Sequence, residues 1–357
     1  MRMYRRIEDG MTEKKIIAIR ADGNATLGMG HIMRCMSIAK AIELASGGAC
    51  VFFTAQEQTA QFIREKGFVC EALHTDYRKM ESEIPYLQEL AEKYNPKLWL
   101  VDSYQITAEY IQELRRMCPV FYLDDIGEMI YEADGLINYN IYGEELGYRE
   151  RCPQHMTLLL GAAYAPVKKE FANTPYEVRE EATNILITMG GSDALNISGQ
   201  LAVRLSEELP ETVNLTLICG RFNPHLQALQ VLQNNNSRIQ ILVDVPDMWN
   251  YLAKADVVVS AAGSTMYELG CMGIPTVCCY YVENQRRIAE GFSQKAGICN
   301  AGDFSENPQV VLNKLTEAVN DLIRDREKRK TVASAMKRVA DGKGALQIAD
   351  ILVESAK

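Results

Sequence analysis

A histidine between a glycine-loosened turn and a helix is the first place in this chain where chemistry can be done. The segment Gly28-Met29-Gly30-His31-Ile32-Met33-Arg34 follows the apolar run Ile16-Ile17-Ala18-Ile19. After it, Ile32, Cys35, Met36, Ile38, Ala39 and Ile42 recur at helical spacing. His31 therefore falls near a helix N-terminus, where free N–H groups and the positive end of the dipole disfavour imidazolium and leave a ring able to take a proton. That suits a general base. Gly28 and Gly30 allow backbone conformations closed to other residues and let a ligand approach the main chain. The same residues also read as a plain tight turn with an ordinary residue at the helix start. A dinucleotide fingerprint is excluded, because Met33 stands where a third glycine belongs and the next strand, Cys50-Val51-Phe52-Phe53-Thr54, ends without an acidic residue.

In open α/β sheets ligands bind beyond the carboxyl ends of the strands, so the residues just after each apolar run are the other candidates. Val101-Asp102-Ser103-Tyr104 ends one run. Asp102 can orient His31 or a water, and Tyr104 can lie on a sugar face while its hydroxyl bonds it. Asp124 and Asp125 end another, where acidic residues also serve simply to cap turns. In the second half, Gly190-Gly191-Ser192-Asp193 opens a helix near Asn196; its glycines can present N–H groups to a phosphate, or Ser192 or Asp193 can cap the helix. In Ala262-Gly263-Ser264-Thr265-Met266-Tyr267-Glu268, Gly263, Ser264 and Thr265 can hold a diphosphate and Glu268 can accept ribose hydroxyls. Thr265-x-x-Glu268 is equally a capping box that needs no ligand. Asn284 and Gln285 follow the next strand with polar groups that can reach the same ligand.

Elements with the right alternation exist to position these residues. Apolar, β-rich runs at 16–19, 50–54, 68–72, 98–102, 120–124, 135–138 and 158–160, then at 184–189, 213–219, 239–243, 257–260 and 276–281, are separated by helical stretches. This is the pattern of parallel α/β sheets, here two Rossmann-like domains facing a cleft. The expected organisation is an extension over 1–13, a first domain over 14–165 holding His31, a proline-bounded linker over 166–175, and a second domain over 176–357 that includes the closing helices. The basic residues of 324–330 read as a solvated helix face.

Composition narrows the partners. With 38 basic against 47 acidic residues in 357 and no basic block, nothing draws the chain to nucleic acid. No apolar run reaches the ~18 residues of a span, and no signal peptide is evident, so a cytoplasmic protein without membrane association is expected. Ten cysteines lie mostly inside apolar patterns with no Cys-x-x-Cys, and four histidines form no metal motif; free thiols and no metal or cofactor are expected.

Taken in order, Arg20-Ala21-Asp22, Gly28-x-Gly30-His31-x-x-Arg34-Cys35, Val101-Asp102-x-Tyr104, Leu123-Asp124-Asp125, Leu160-Gly161-x-x-Tyr164, Gly190-Gly191-Ser192-Asp193 and Ala262-Gly263-Ser264-Thr265-x-x-Glu268 closely resemble the pseudaminic-acid-pathway hydrolases called PseG. The resemblance runs from about Lys15 over nearly the whole chain. It implies the two-domain GT-B architecture shared with the transferase MurG, and hydrolysis of UDP-2,4-diacetamido-2,4,6-trideoxy-β-L-altropyranose to UDP and the free sugar. It also implies His31 as general base with Tyr104 lining the sugar site, and a UDP site drawn from Gly263, Ser264, Thr265, Glu268, Asn284 and Gln285. Gly28, Gly30, Arg34, Gly190, Gly191 and Ser192 are further candidates for binding substrate. The expected partner is a small-molecule UDP-sugar, and the expected state a monomer or weak homo-oligomer. A GT-B glycosyltransferase using a UDP-sugar donor and a non-catalytic UDP-sugar sensor are the competing readings, since function lives in the site and not in the fold.

Overall fold

All the apolar runs of the first half become strands of a single parallel sheet. In the computed structural model, which describes residues 14–24, 27–221 and 223–356, these are β1 (Ile16–Ala21), β2 (Ala49–Thr54), β3 (Val69–Ala72), β4 (Leu98–Asp102), β5 (Val120–Leu123), β6 (Gly135–Asn138) and β7 (Thr157–Leu160). Their order is β3-β2-β1-β4-β5-β6-β7. β1 and β4 are buried along their whole length. Strands without polar alternation belong in the middle of a sheet covered on both faces, and a parallel sheet provides that. On one face Trp99 packs on Phe53 with ring centroids 5.3 Å apart. Helix α1 (Gly30–Ala45) buries the stripe Ile32, Cys35, Met36, Ile38, Ala39 and Ile42 that its spacing implied.

The second half builds β8 (Asn184–Thr188), β9 (Asn214–Cys219), β10 (Ile239–Val243), β11 (Val257–Ala261), β12 (Thr276–Tyr280) and β13 (Cys299–Asp303), again all parallel, in the order β10-β9-β8-β11-β12-β13. Three helices of this half bear on the candidate loops: α2 (Ile197–Glu208), α3 (Thr265–Met272) and α4 (Glu283–Ala296). β13 was not expected. Its sequence, Cys-Asn-Ala-Gly-Asp, carries no apolar run; as an edge strand it needs few buried side chains, and its pairing with β12 supplies the order.

The chain divides into two compact units, one of residues up to Val167 together with those from Lys343 onward, the other Lys168–Gly342. Two expectations are corrected here. The stretch 166–175 is not a bare linker: Lys169–Asn173 is helical, and Phe171 lies edge-on to Trp249 at 5.6 Å, which ties it to the second unit. Nor do the closing helices all stay with the second domain. The last helix, Gly344–Ser355, returns to the first unit, burying Ile348, Ala349 and Leu352, while Ser46 Oγ donates to Asp350 Oδ1 (2.7 Å) and Lys15 Nζ to the Val353 carbonyl (3.0 Å). Local periodicity marks an amphipathic helix but not which apolar surface it will cover.

The basic run of 324–330 is also not uniformly solvated. Arg329 is 1% exposed and donates to the carbonyls of Leu322 (2.7 Å) and Ile323 (2.9 Å), which the end of the helix Pro308–Arg324 leaves free, and to those of Arg179 (2.9 Å) and Glu180 (2.8 Å) in the segment before β8. The expected extension over 1–13 lies outside the described residues.

In both sheets the chain reverses its direction of growth between the first strand and its central neighbour: β1 beside β4, and β8 beside β11. The carboxyl ends of these pairs flank the switch points where open α/β sheets hold ligands. Ala21 pairs with Asp102, and Ser260 with Thr188.

Candidate active site

At the first switch point, α1 begins immediately after the loop that leaves β1, and β4 ends at Asp102. This brings His31 and Asp102, 71 residues apart, to 2.6 Å between Nδ1 and Oδ1. Asp102 is 1% exposed and His31 7%. Burial works against the Asp102 charge, but Arg34 and His31 outweigh it and hold the carboxyl well below the usual carboxylate range. An ionised carboxylate only accepts hydrogen bonds, so the partners assign the proton of neutral His31 to Nδ1 and leave Nε2 as the free acceptor.

Arg34, one turn further along α1, closes the other side. Its Nε donates to Asp102 Oδ2 and its Nη2 to Asp102 Oδ1, both at 2.6 Å, a bidentate fork on the carboxylate. Nη1 donates to Asp125 Oδ1 (2.9 Å), Asp125 Oδ2 (2.8 Å) and the Tyr139 hydroxyl (2.9 Å). The sequence reading placed Arg34 on the substrate, but all three guanidinium nitrogens are engaged inside the protein. Tyr139, and Asn140, which donates to Asp125 Oδ1 (3.3 Å), were missed by that reading. Both follow β6, two strands away from β4, and only the sheet order makes them neighbours.

Asp124 and Asp125 divide the roles left open for them. Asp124 accepts from Ile126 N (2.9 Å), Gly127 N (3.1 Å) and the Tyr148 hydroxyl (2.8 Å), so it caps the turn after β5. Asp125 faces the cluster instead. Tyr104 donates its hydroxyl to Asp125 Oδ2 (3.1 Å), and its ring meets that of His31 edge-on at 4.7 Å and 83°. At 51% exposure Tyr104 is the most open member of the group. Burial, then Asp125, raises its phenol above the ordinary range, so it is a hydrogen-bonding phenol and not a phenolate.

Behind β1 a second charge network fixes the strand end that leads to His31. Arg20 forks onto Glu83 (Nε to Oε1 2.6 Å, Nη2 to Oε2 2.8 Å) and reaches Asp22 Oδ2 with Nη1 (2.6 Å). Arg20 and Glu83 are both 0% exposed. Asp22 accepts in turn from Thr54 Oγ1 (2.9 Å) and Ala55 N (2.8 Å), joining the ends of β1 and β2. The turn that follows needs Gly28, whose φ is +73°. Gly30 is different: a Cβ there would meet nothing within 4 Å, so no contact inside the protein calls for a glycine.

The second unit presents its own candidate loops. After β8, Asp193 and not Ser192 secures the start of α2: it accepts from Ile197 N (2.8 Å), Ser198 N (3.0 Å) and the Ser198 hydroxyl. Gly190 takes φ +80°, and Gly191 and Ser192 are exposed. After β11, the capping box that was the alternative to a ligand site does not form. Ser264 is the residue before α3, in helical conformation and without a side-chain cap bond, and Thr265 is already in the helix. Among the described residues the backbone N–H groups of Ser264 and Thr265 have no backbone acceptor. Gly263, like Gly30, faces open space. Glu268 has no hydrogen-bond donor among the described residues, and its burial, only partly offset by Lys168, pushes its carboxyl up to about 7. In the first turn of α4, Gln285 accepts from Tyr281 N with its side-chain carbonyl oxygen (3.2 Å), and Asn284 is exposed.

Among the described residues no group of three or more His, Cys, Asp or Glu is placed to hold a metal ion, and no helix is long and apolar enough to cross a membrane.

Comparison with known proteins sets this geometry in context. Residues 184–346 match the model of the glycosyltransferase family 28 C-terminal domain. The UDP-2,4-diacetamido-2,4,6-trideoxy-beta-L-altropyranose hydrolase of Campylobacter jejuni is 25% identical over 281 residues, covering 78% of this chain and 96% of its own. An uncharacterized protein of Methanocaldococcus jannaschii is 25% identical over 292 residues; that match takes in 78% of this chain but spans only 58% of the relative's length. MurG of Acinetobacter baumannii superposes with a TM-score of 0.67 at 14% identity, over 95% of this chain and 99% of its own. The chain thus has the fold of the GT-B glycosyltransferases, with one parallel α/β sheet in each unit.

Proposed function

We propose that this protein is a UDP-sugar hydrolase that cleaves UDP-2,4-diacetamido-2,4,6-trideoxy-β-L-altropyranose to UDP and the free sugar, with His31 as general base. The observation that carries the reading is the His31–Asp102 pair, which leaves Nε2 unprotonated at a switch point of the first sheet. In this reaction a water oxygen attacks C1 of the sugar from the face opposite UDP. Its proton passes to Nε2, and the C1–O bond breaks with its electron pair going to the diphosphate, which gives inversion. UDP leaves as an anion without an acid, so the protein's task is to position water and to donate hydrogen bonds to the diphosphate. The uncapped N–H groups of Ser264 and Thr265, the loop of Gly190, Gly191 and Ser192, and Asn284 and Gln285 are assigned to UDP. Glu268 is assigned to the ribose and Tyr104 to the sugar. The identity to the Campylobacter jejuni hydrolase supports the substrate.

In H₂¹⁸O the label is expected in the released sugar, because the bond broken is C–O. His31→Gln is expected to lower kcat by roughly 10²- to 10⁴-fold with UDP binding retained. Label in the UDP phosphate, or full activity in the variant, would overturn the reading. A glycosyltransferase is the second reading, favoured by the family 28 match over 184–346. It predicts that UDP appears only when a sugar alcohol or amine acceptor is added.

The assignment of Glu268 has its own test. A carboxyl raised to about 7 is protonated below neutrality and accepts from ribose hydroxyls best once ionised. Affinity for uridine, which carries no phosphate to titrate, is expected to rise with pH through neutrality. Below the midpoint the limit is about tenfold per pH unit. Glu268→Gln should flatten that dependence; calorimetry showing the same slope in the variant would remove Glu268 from the ribose.

A further inference from the structure

We propose that Arg34 is a positioning residue that sets the proton affinity of His31, and that Asp125 tempers it. The base role of His31 is taken from the function proposed above; the influence of Arg34 on the ring is not.

In a simple His–Asp pair the carboxylate is free to stabilise imidazolium. Here Arg34 occupies both oxygens of Asp102 at 2.6 Å, so the carboxylate is shared between two cations once His31 is protonated. Arg34 Nη2 also lies 3.1 Å from His31 Nδ1; with the Nδ1 proton directed at Asp102, both atoms are donors, and the approach is a contact between like charges whenever the ring is charged. Both effects act in the same direction, against imidazolium. A base so placed takes a proton in the transition state and gives it up readily afterwards.

Asp125 works in the opposite sense. It accepts Arg34 Nη1 with both oxygens, drawing charge away from the dyad, and bonds Tyr104 as well. The charged and titratable groups around His31 are then Arg34 on its own helix, Asp102 at the end of β4, Tyr104 in the loop beyond it, Asp125 after β5 and Tyr139 after β6, with the Cys35 thiol on Asp102 Oδ2 at 3.4 Å. Two carboxylates face one permanent cation and one conditional one. Removing Arg34 and removing Asp125 must therefore move the ring in opposite directions, and a purely structural role does not produce that signature.

The pH at which the His31 ring resonances move is measured by NMR in the free, full-length protein, which requires no turnover and so stands apart from the success of the hydrolase reading. Arg34→Gln is expected to raise that midpoint by about one unit or more, the size of effect a charge within contact distance exerts. Arg34→Lys, which keeps the charge, should restore it to near the wild-type position, and Asp125→Asn should lower it. Where the substrate is turned over, the low-pH limb of kcat/KM moves in step with each variant. Should Arg34→Gln fail to fold, the test rests on Arg34→Lys and Asp125→Asn, since Asp125 is the more exposed partner and its loss leaves the Asp102 fork in place. A midpoint unmoved or lowered by Arg34→Gln, or raised by Asp125→Asn, would overturn the proposal.

Discussion

Asp102→Asn is expected to cost this protein both its activity and a large part of the stability of its first unit. Among the described residues the carboxylate is the only anion between His31 and Arg34, and whichever way the asparagine amide turns, one of its two sites faces Arg34 with an N–H instead of an oxygen. The imidazolium formed as the water is deprotonated then lies beside a guanidinium whose remaining anionic partner is Asp125, on the far side from the ring nitrogen it faced through Asp102. Loss of kcat in the range of a removed general base, roughly 10²- to 10⁴-fold, follows, with UDP binding unaffected because that site is assigned to the second unit. Neutralising one partner of a buried pair costs roughly 3–5 kcal/mol; the remaining Asp125 contact of Arg34 sets this case at the low end.

The pH dependence of that loss has a definite sign. Asp102 has its carboxyl lowered on folding, so its contribution to stability is fully present above the unfolded aspartate value of about 3.9 and is lost as pH falls toward the folded value. The difference between wild type and Asp102→Asn in urea unfolding should be constant at neutral pH and shrink in acid. A difference that instead grows on acidification would mean that Asp102 is not held ionised by its neighbours.

The second large effect is expected at Glu83→Gln. Arg20 and Glu83 are wholly buried, so the neutral amide leaves the guanidinium with Asp22 as its one remaining anion among the described residues, in a place water does not reach. The Tyr110 hydroxyl also donates to Glu83. Destabilisation of roughly 3–5 kcal/mol is expected, read as a lowered urea midpoint with unchanged slope. Adding Arg20→Met should return part of it, because the double variant no longer buries a guanidinium that has lost its bidentate carboxylate. If the double variant is less stable than the sum of the singles, the two residues do not act as a pair. Among the described residues no hydrogen bond of this network reaches His31 or the Asp102 carboxylate, so kcat of the folded fraction should change far less than in Asp102→Asn.

How much of this was legible in advance differs by residue. Strands whose runs are apolar on both faces were found because burial dictates composition, and His31 was placed at its strand-to-helix turn because two glycines and a helical stripe flank it. β13 was missed because an edge strand satisfies its backbone through one neighbour and needs no apolar signature. The capping box at Thr265 was a reasonable local reading, yet α3 starts with Thr265 already inside it, so the pattern that would use that side chain as a cap is absent.

The amino-acid sequence alone determined the alternation of strands and helices, the candidate base and the strand ends that carry the candidate binding residues, since each depends on neighbours within a few turns of chain. Only the tertiary structure decided that Arg34 serves Asp102 and Asp125, that Asp124 caps a turn while its neighbour joins the cluster, that Tyr139 and Asn140 complete it, and that the last helix returns to the first unit. Those outcomes depend on which strands lie side by side. Strand order is set by the summed burial of whole elements, so side chains 68 to 105 residues apart find one another through it and through no local pattern.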